Sequence, residues 1–421
     1  MKALTSPPMA GRIGRRWSGA AGLAVPLAAI LAVPAVTAGG AAAASATATA
    51  VSAGGSLRAW GDDRSGQLGD GATRSSDTPV RVKLPSGTTV TSVRAGGKHS
   101  LALTSAGQVL AWGHNFSGQL GDGTTIDRHT PVRVKLPQGT RVIAVSAGGV
   151  HSLAVTAAGQ LLAWGDNEYG QLGDGTTKDR HIPVRVKLPA GTRVIAVGAS
   201  YNCSMALTSS GQVWAWGHNG SGQLGDGTRT ESHVPVRVKL PKRVMVTAIA
   251  VGGFDGLALT SAGHVLAWGD NGFGQLGNGT RHSSSIPVRV RFPAGTTVTA
   301  VGVGSLHNLA LTSAGQVLAW GSNAFGQLGN GTTTNSDIPV RVKLGAAAKV
   351  IAVSAGGGFS LALTQAGRIL TWGHNQFGQL GNGTMISSHT PVRVTIPAGL
   401  IATALAAGPT TRHSLAIVRR A

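Results

Sequence analysis

An all-β, seven-bladed β-propeller of four-stranded antiparallel blades is the fold class the sequence predicts. Three observations predict it: a sevenfold internal repeat of fixed length, four strand-like segments in each copy, and complementary half-copies at the two ends of the array. A Trp-Gly pair recurs at Trp60, Trp112, Trp164, Trp216, Trp268, Trp320 and Trp372, each 52 residues from the next. "GQLG" from Gly66 onward and "PVRV" from Pro79 onward keep the same spacing. A period of this length, held without insertion or deletion, marks one supersecondary unit copied in series.

The elements of one unit follow in order. The first strand is "VTSVRA", 90–95, closed by a Gly-Gly turn. The second is "HSLALT", 99–104, followed by a "SAG" hairpin. The third is "QVLAW", 108–112, and the fourth is "PVRVKL", 131–136, reached through the long loop "GHNFSGQLGDGTTIDRHT". Apolar residues alternate, β-branched residues are frequent, and Gly, Asn and Asp punctuate the segments, which favours strands over helices. The array begins at a third strand, Ser56 to Trp60. It finishes after a first and a second strand, 400–407 and 413–418. The last blade is therefore expected to take two strands from each end of the array, closing the ring and removing exposed edges.

The first 55 residues are of another kind. Lys2, Arg12, Arg15 and Arg16 precede an uncharged run, Gly19 to Ala38, and then an Ala/Gly/Ser/Thr-rich stretch. This is the pattern of an export signal, with Val36-Thr37-Ala38 suited to cleavage. A retained membrane anchor is the competing reading, and Pro26 and Pro34 favour cleavage. The expected organisation is a signal over 1–38, a linker over 39–55, the propeller over 56–418 and a basic tail over 419–421. It describes a secreted, extracellular monomer with no membrane contact after cleavage, and cell-envelope association is left open.

Composition narrows the function. Hydrophobic residues make up 42% of the 421 and charged residues 12%, which excludes a disordered chain. Cys203 stands alone, so no intramolecular disulfide forms, and other copies carry His at its position. Formal net charge is +21, or +17 without the four basic residues of the signal. Such a balance attracts nucleic acid or anionic polymers. Much of it is periodic, however: Arg81, Arg133, Arg185, Arg237, Arg289, Arg341 and Arg393, with Lys or Arg two residues later in six copies, account for 13 of the 36 basic residues. Cations on an outermost strand block edge-to-edge aggregation. No groove with interleaved aromatics is visible, and nucleic acid is not an expected partner.

The copies "AGGKHSLALTSAGQVLAWGHNFSGQLGDG" and "AGGVHSLAVTAAGQLLAWGDNEYGQLGDG" resemble the regulator of chromosome condensation repeat, over residues 56 to about 418. The resemblance implies a seven-bladed propeller and, within a family that includes secreted bacterial members, a protein-binding role. Guanine-nucleotide exchange, the eukaryotic family function, is an alternative that export and the lack of any inserted wedge argue against. Inhibition of an enzyme is another implied activity. In a light-sensing plant member, tryptophans occupy the second Gly position of "AGGxHS". This chain has Gly97, Gly149, Tyr201, Gly253, Ser305 and Gly357 there, which excludes light sensing.

Other motifs have structural readings. "GSGQLG" at Gly220 and "GFGQLG" at Gly272 match a dinucleotide fingerprint but lie in strand-to-strand loops, without the helix that would hold pyrophosphate. "GDG" and "GNG" suit tight turns better than calcium. The seven Trp suit an inter-blade core. Twelve of the 13 histidines are read as loop residues. No cofactor, metal or catalytic residue is assigned, and the protein is read as a non-enzyme.

Binding is sought where the copies disagree. The GQLG loop varies at the fourth and fifth residues after each Trp, and the first-to-second-strand turn varies throughout, while the "SAG" and "LPxGT" connections hardly change. In an antiparallel four-stranded blade, the first and third connections share one end. An asymmetric partner therefore meets a face that is rich in aromatic residues, the usual anchors of interfaces. The candidate binding residues are Phe116, Glu168, Tyr169, Tyr201, Phe254, Asp255, His307 and Phe359, with Tyr201, Phe254 and Phe359 as lead anchors. A protein partner is expected, and attachment of the basic surface to anionic envelope polymer is the second reading.

Overall fold

A computed structural model describes residues 55–345 and 348–421 as 28 strands in seven four-stranded antiparallel sheets. The expected signal, and all of the expected linker except Gly55, lie outside the described residues. Blade 1 contains β1 (Ser56–Gly61) and β2 (Ser76–Arg81). Blade 2 comprises β3 (Val90–Ala95), β4 (His99–Thr104), β5 (Val109–Gly113) and β6 (Arg128–Arg133). Blades 3 to 7 repeat this pattern through β26 (Ser388–Arg393), and β27 (Leu400–Ala406) and β28 (His413–Arg420) return to blade 1.

The closing blade has the order β2-β1-β28-β27. Its central pairing is continuous, from Ser56↔Val418 to Gly61↔His413. The expected closure by strands from both ends is thus the observed one. β28 runs on to Arg420, pairing Leu400↔Arg420, so Arg419 and Arg420 are strand residues rather than a tail. The fourth strand begins three residues earlier than expected. Pro131 has no N–H to offer the ladder, yet pairing continues on its N-terminal side through Gly113↔Arg128, across a register irregularity.

Blades are joined by their seams. Seven hydrophobic clusters form, one between each adjacent pair, and each contains one of the repeated Trp side chains, all wholly buried. Burying an indole contributes roughly 4–6 kcal/mol at the usual area coefficient. The GQLG loop holds the Trp of the next blade by its polar edge: Trp164 Nε1 donates to Gln119 O at 2.9 Å. Gly121 has φ +65°, and a Cβ there would lie 2.8 Å from Trp164 Nε1. The last Gly of GQLG is therefore required by its neighbour's indole and serves no phosphate. A second clasp runs from Gly123 N to His181 O, 2.9 Å, and its counterpart from Gly383 N to Asp77 O, 2.9 Å, completes the circle. The outer-strand arginines, Arg133 among them, are exposed as expected.

Candidate functional site: the variable loop face

The first turn and the long third loop of each blade meet at one end. In blade 2 His114 N donates to Lys98 O at 2.9 Å, and in blade 3 Asp166 N donates to Val150 O at 3.0 Å. A buried asparagine braces each long loop from within in blades 2 to 7. Asn115 Oδ1 accepts from Leu120 N, and its Nδ2 donates to the carbonyls of Thr124 and Ile126. This fixed frame leaves the residues immediately after the asparagine facing outward.

Five of the eight candidate residues lie on this face. Phe116 is 77% exposed, Tyr201 and Phe254 are each 37% exposed, Glu168 is exposed and Tyr169 half-buried. Tyr201 and Phe254 stack, with centroids 5.8 Å apart and planes 21° apart. Tyr169 meets His218 of the next blade edge-on at 5.1 Å. Phe325 similarly packs on His374 of its neighbour at 4.4 Å. The fifth-position aromatics thus lean across seams while keeping part of each ring in solvent.

Sequence reading missed a cluster at the junction of blades 7 and 1. Arg64 and Arg412 lie over the Phe377 ring, at 4.7 and 5.0 Å from its centroid. Such stacking contributes about 0.5–1 kcal/mol at an exposed site. Arg64 also pairs with Asp62 at 2.8 Å. On blade 3 the charge has the other sign: burial, Asp179 and Glu168 raise the Asp166 carboxyl above its ordinary range. The face therefore carries aromatics with a basic group on one sector and an acidic group on another. The fourth residue after each Trp, Arg64 in blade 1 and Glu168 in blade 3, is the column that carries this asymmetry.

At the centre, the Tyr201 hydroxyl lies 3.4 Å from Ser305 Oγ, and Ser305 Oγ donates to Pro409 O. Tyr201 and Ser305 are the two departures from glycine at the second position of "AGGxHS". Together they roof the axis of the ring.

Asp255, His307 and Phe359 leave the candidate surface, because all three are fully buried. They share a column at the start of the second strand that faces the next blade's seam. His99 Nε2 lies 3.0 Å from Ser152 Oγ, His151 Nε2 2.9 Å from Ser204 Oγ, His307 Nε2 2.9 Å from Ser360 Oγ, and His413 Nε2 2.8 Å from Ser100 Oγ. The serines donate onward to a GQLG glutamine carbonyl, as Ser152 does to Gln119 O at 2.9 Å, so each imidazole supplies its Nε2 proton. Burial holds His99, His151 and His307 down to about 3 and His413 to about 4, all neutral. In blade 5, Asp255 accepts instead from Asn308 Nδ2 at 2.9 Å, and burial pushes its carboxyl up to about 8. Phe359 fills the same column with apolar surface.

These His–Ser pairs have the reach of a nucleophilic dyad, but each histidine Nδ1 lacks an orienting partner and both residues are sealed from solvent. No substrate reaches them. The histidines are also not loop residues as expected: eight of the 13 lie in strands. Cys203 is buried with its thiol pushed up to about 11 by burial, which makes it a poor nucleophile. Among the described residues no group of three or more His, Cys, Asp or Glu converges as a metal site would require.

A family model for the RCC1-like domain matches residues 123–421, and models for the regulator of chromosome condensation (RCC1) repeat match 54–103 and 90–119. The chain belongs to the RCC1-like domain family. Among RCC1-like relatives, it is 33% identical to the ultraviolet-B receptor UVR8 of Arabidopsis thaliana, over 79% of this chain and 76% of that protein. It is 37% identical to the E3 ubiquitin-protein ligase HERC2 of Homo sapiens over 74% of this chain but 7% of that much longer protein. The human WBSCR16 structure superposes with TM-score 0.78 at 25% identity, covering 87% of this chain and 99% of that one. Yeast RCC1 (Prp20), solved bound to Kap60, superposes with TM-score 0.79 at 21% identity over 97% of each chain, a likeness of fold. RCC1-like propellers are in general protein-interaction modules.

Proposed function

We propose that this RCC1-like propeller is a secreted, non-enzymatic binding module that engages a protein partner through its variable loop face. The observation that carries this reading is the pairing of exposed aromatics with asymmetric charge on that one face. Tyr201 and Phe254 stack near the axis, Phe116 and Tyr169 stand outward of them, and Arg64 and Glu168 differ in sign. Partly exposed, pre-stacked rings lose little freedom on binding and present large apolar area, as interface anchors do. Inhibition of a partner enzyme is one form this activity takes. Guanine-nucleotide exchange is disfavoured by the expected export.

A second reading has its own observation. One exposed arginine per blade on the outer strands makes a cationic rim, suited to anionic envelope polymer. The test is affinity capture from culture supernatant and cell-envelope extract, followed by binding measurements with two variants. Phe116→Ala/Tyr169→Ala/Phe254→Ala is expected to weaken a captured protein at least roughly thirtyfold, about 2 kcal/mol or more. Arg133→Ala/Arg185→Ala is expected to leave it unchanged. The reverse pattern, with retention abolished by salt, would replace the face by the rim.

A further inference from the structure

Arg94 lines the central channel, where no other blade has a charged residue at the equivalent place. Register with the second strand fixes the equivalents as Ser146, Gly198, Ala250, Gly302, Ser354 and Ala406. Those six small residues show that the fold itself asks for no arginine there. They leave a cavity of about 40 Å³ on the axis, with Arg94 on its wall and Pro409 of the roof at its edge. A volume of that order holds one or two water-sized bodies.

The guanidinium is short of partners. Nη1 donates to Ser92 Oγ at 3.0 Å and to Val93 O at 2.7 Å, both on its own strand. Nε is buried and donates to nothing. Among the described residues no carboxylate pairs with it. Burial lowers its pKa to about 10, so it remains cationic at neutral pH. A largely buried cation without a counter-charge is costly, and a small anion beside it removes that cost with charge-assisted hydrogen bonds. Ser146 Oγ accepts from Ala199 N at 3.1 Å, which leaves its own O–H to turn toward such a ligand.

We propose that Arg94 holds a small monovalent anion, a chloride or a single carboxylate, in the roofed axial cavity. The size of the cavity and the roof across the axis exclude a polymeric phosphate chain. This site is independent of partner binding on the loop face.

Chloride-35 line broadening on the full chain tests the proposal, comparing the parent with Arg94→Ser, which copies the residue already present in blades 3 and 7. Excess broadening in the parent, most of it lost in the variant, is the expected result. Sodium formate separates the sources: displacement of chloride admits carboxylates, and no displacement confines the site to halide. Equal broadening in both proteins would assign chloride to the rim cations and overturn the proposal. Should Arg94→Ser fail to fold, bromide-soaked crystals of the parent decide the question. An anomalous peak beside the Arg94 guanidinium supports the site, and its absence overturns it.

Discussion

Phe254 and Asp255 are adjacent, and both stand in columns where the blades disagree. Phe254 is exposed and stacks on Tyr201 at the loop face, whereas Asp255 is sealed in the seam with blade 6. Variation in the first column is uncompensated. Variation in the second is matched across the blade boundary in every seam but that of Phe359, which faces an unchanged Ser414. Histidine faces serine in four seams, Asp255 faces Asn308, and Cys203 stands opposite the position of Gly256, which has no side chain to pair. A carboxyl group receiving a bond needs a donor, and asparagine supplies one while still reaching Gln275 O at 2.8 Å. Differences between copies thus have two physical sources, a surface free to differ and a seam that differs in coordinated pairs.

Protonation should separate the seam from the face most strongly. The four buried histidines have folded-state pKa values of about 3 to 4, below the unfolded value near 6.5. Acid protonates them only in the unfolded chain, so stability is lost as pH falls from about 6.5 toward 4. Asp63 and Asp255 act oppositely: burial raises them to about 7 and about 8, and their contribution rises as pH falls through those values toward 4. Four protons against two leave a net loss of about 2.7 kcal/mol per pH unit near pH 5. On these six groups stability should peak at roughly pH 6.7, where the two opposing proton counts balance. Urea unfolding across pH checks this, and His151→Phe, which copies blade 7, should lower the acid slope by about one proton.

Next in size is the contrast between two phenylalanines. Phe359→Ala should cost about 3–5 kcal/mol, because it opens a cavity in the seam of blades 7 and 1. Phe254→Ala should change stability by under about 1 kcal/mol, since its ring faces solvent and one neighbour. Thermal melts of the two variants decide it, and equal losses would erase the distinction between seam and face.

The smallest effect is the pairing itself. Asn308→Ser should destabilise by about 1–3 kcal/mol, because it removes the donor to a buried carboxyl. Adding Asp255→His rebuilds the pair used in four other seams. Recovery of about 0.5–3 kcal/mol relative to additivity is the expected coupling. A strictly additive double variant would mean that the Asp–Asn match is incidental.

These contrasts explain what the sequence could reveal. The period, the closing strands and the buried Trp were legible because each blade solves the same packing problem with the same residues. The seam pairs were not, since all but one join residues 53 positions apart, one blade and one residue onward, and the closing His413–Ser100 pair spans 313. Read along a single column, Phe359 looks like an aromatic placed in a turn. Read with Ser414 and the seam, it is core. Arg94 escaped for a related reason: its significance lies in six small residues that approach it only when the ring closes. The exposed group, Phe116, Glu168, Tyr169, Tyr201 and Phe254, was legible because the loop frame repeats and fixes which positions point outward.

The closing blade also sets a constraint in time. Within the ring β1 and β2 are made before the other strands, yet β1 finds its inner neighbour only in β28, some 350 residues later. Until then blade 1 is a two-stranded fragment whose β1 ladder is open on the side that β28 will take. Contacts so distant along the chain make for slow folding and a vulnerable nascent state. Blades 2 to 7, whose strands are consecutive, can form as they emerge. The ring's final step is then the capture of the waiting β1–β2 pair by β27 and β28.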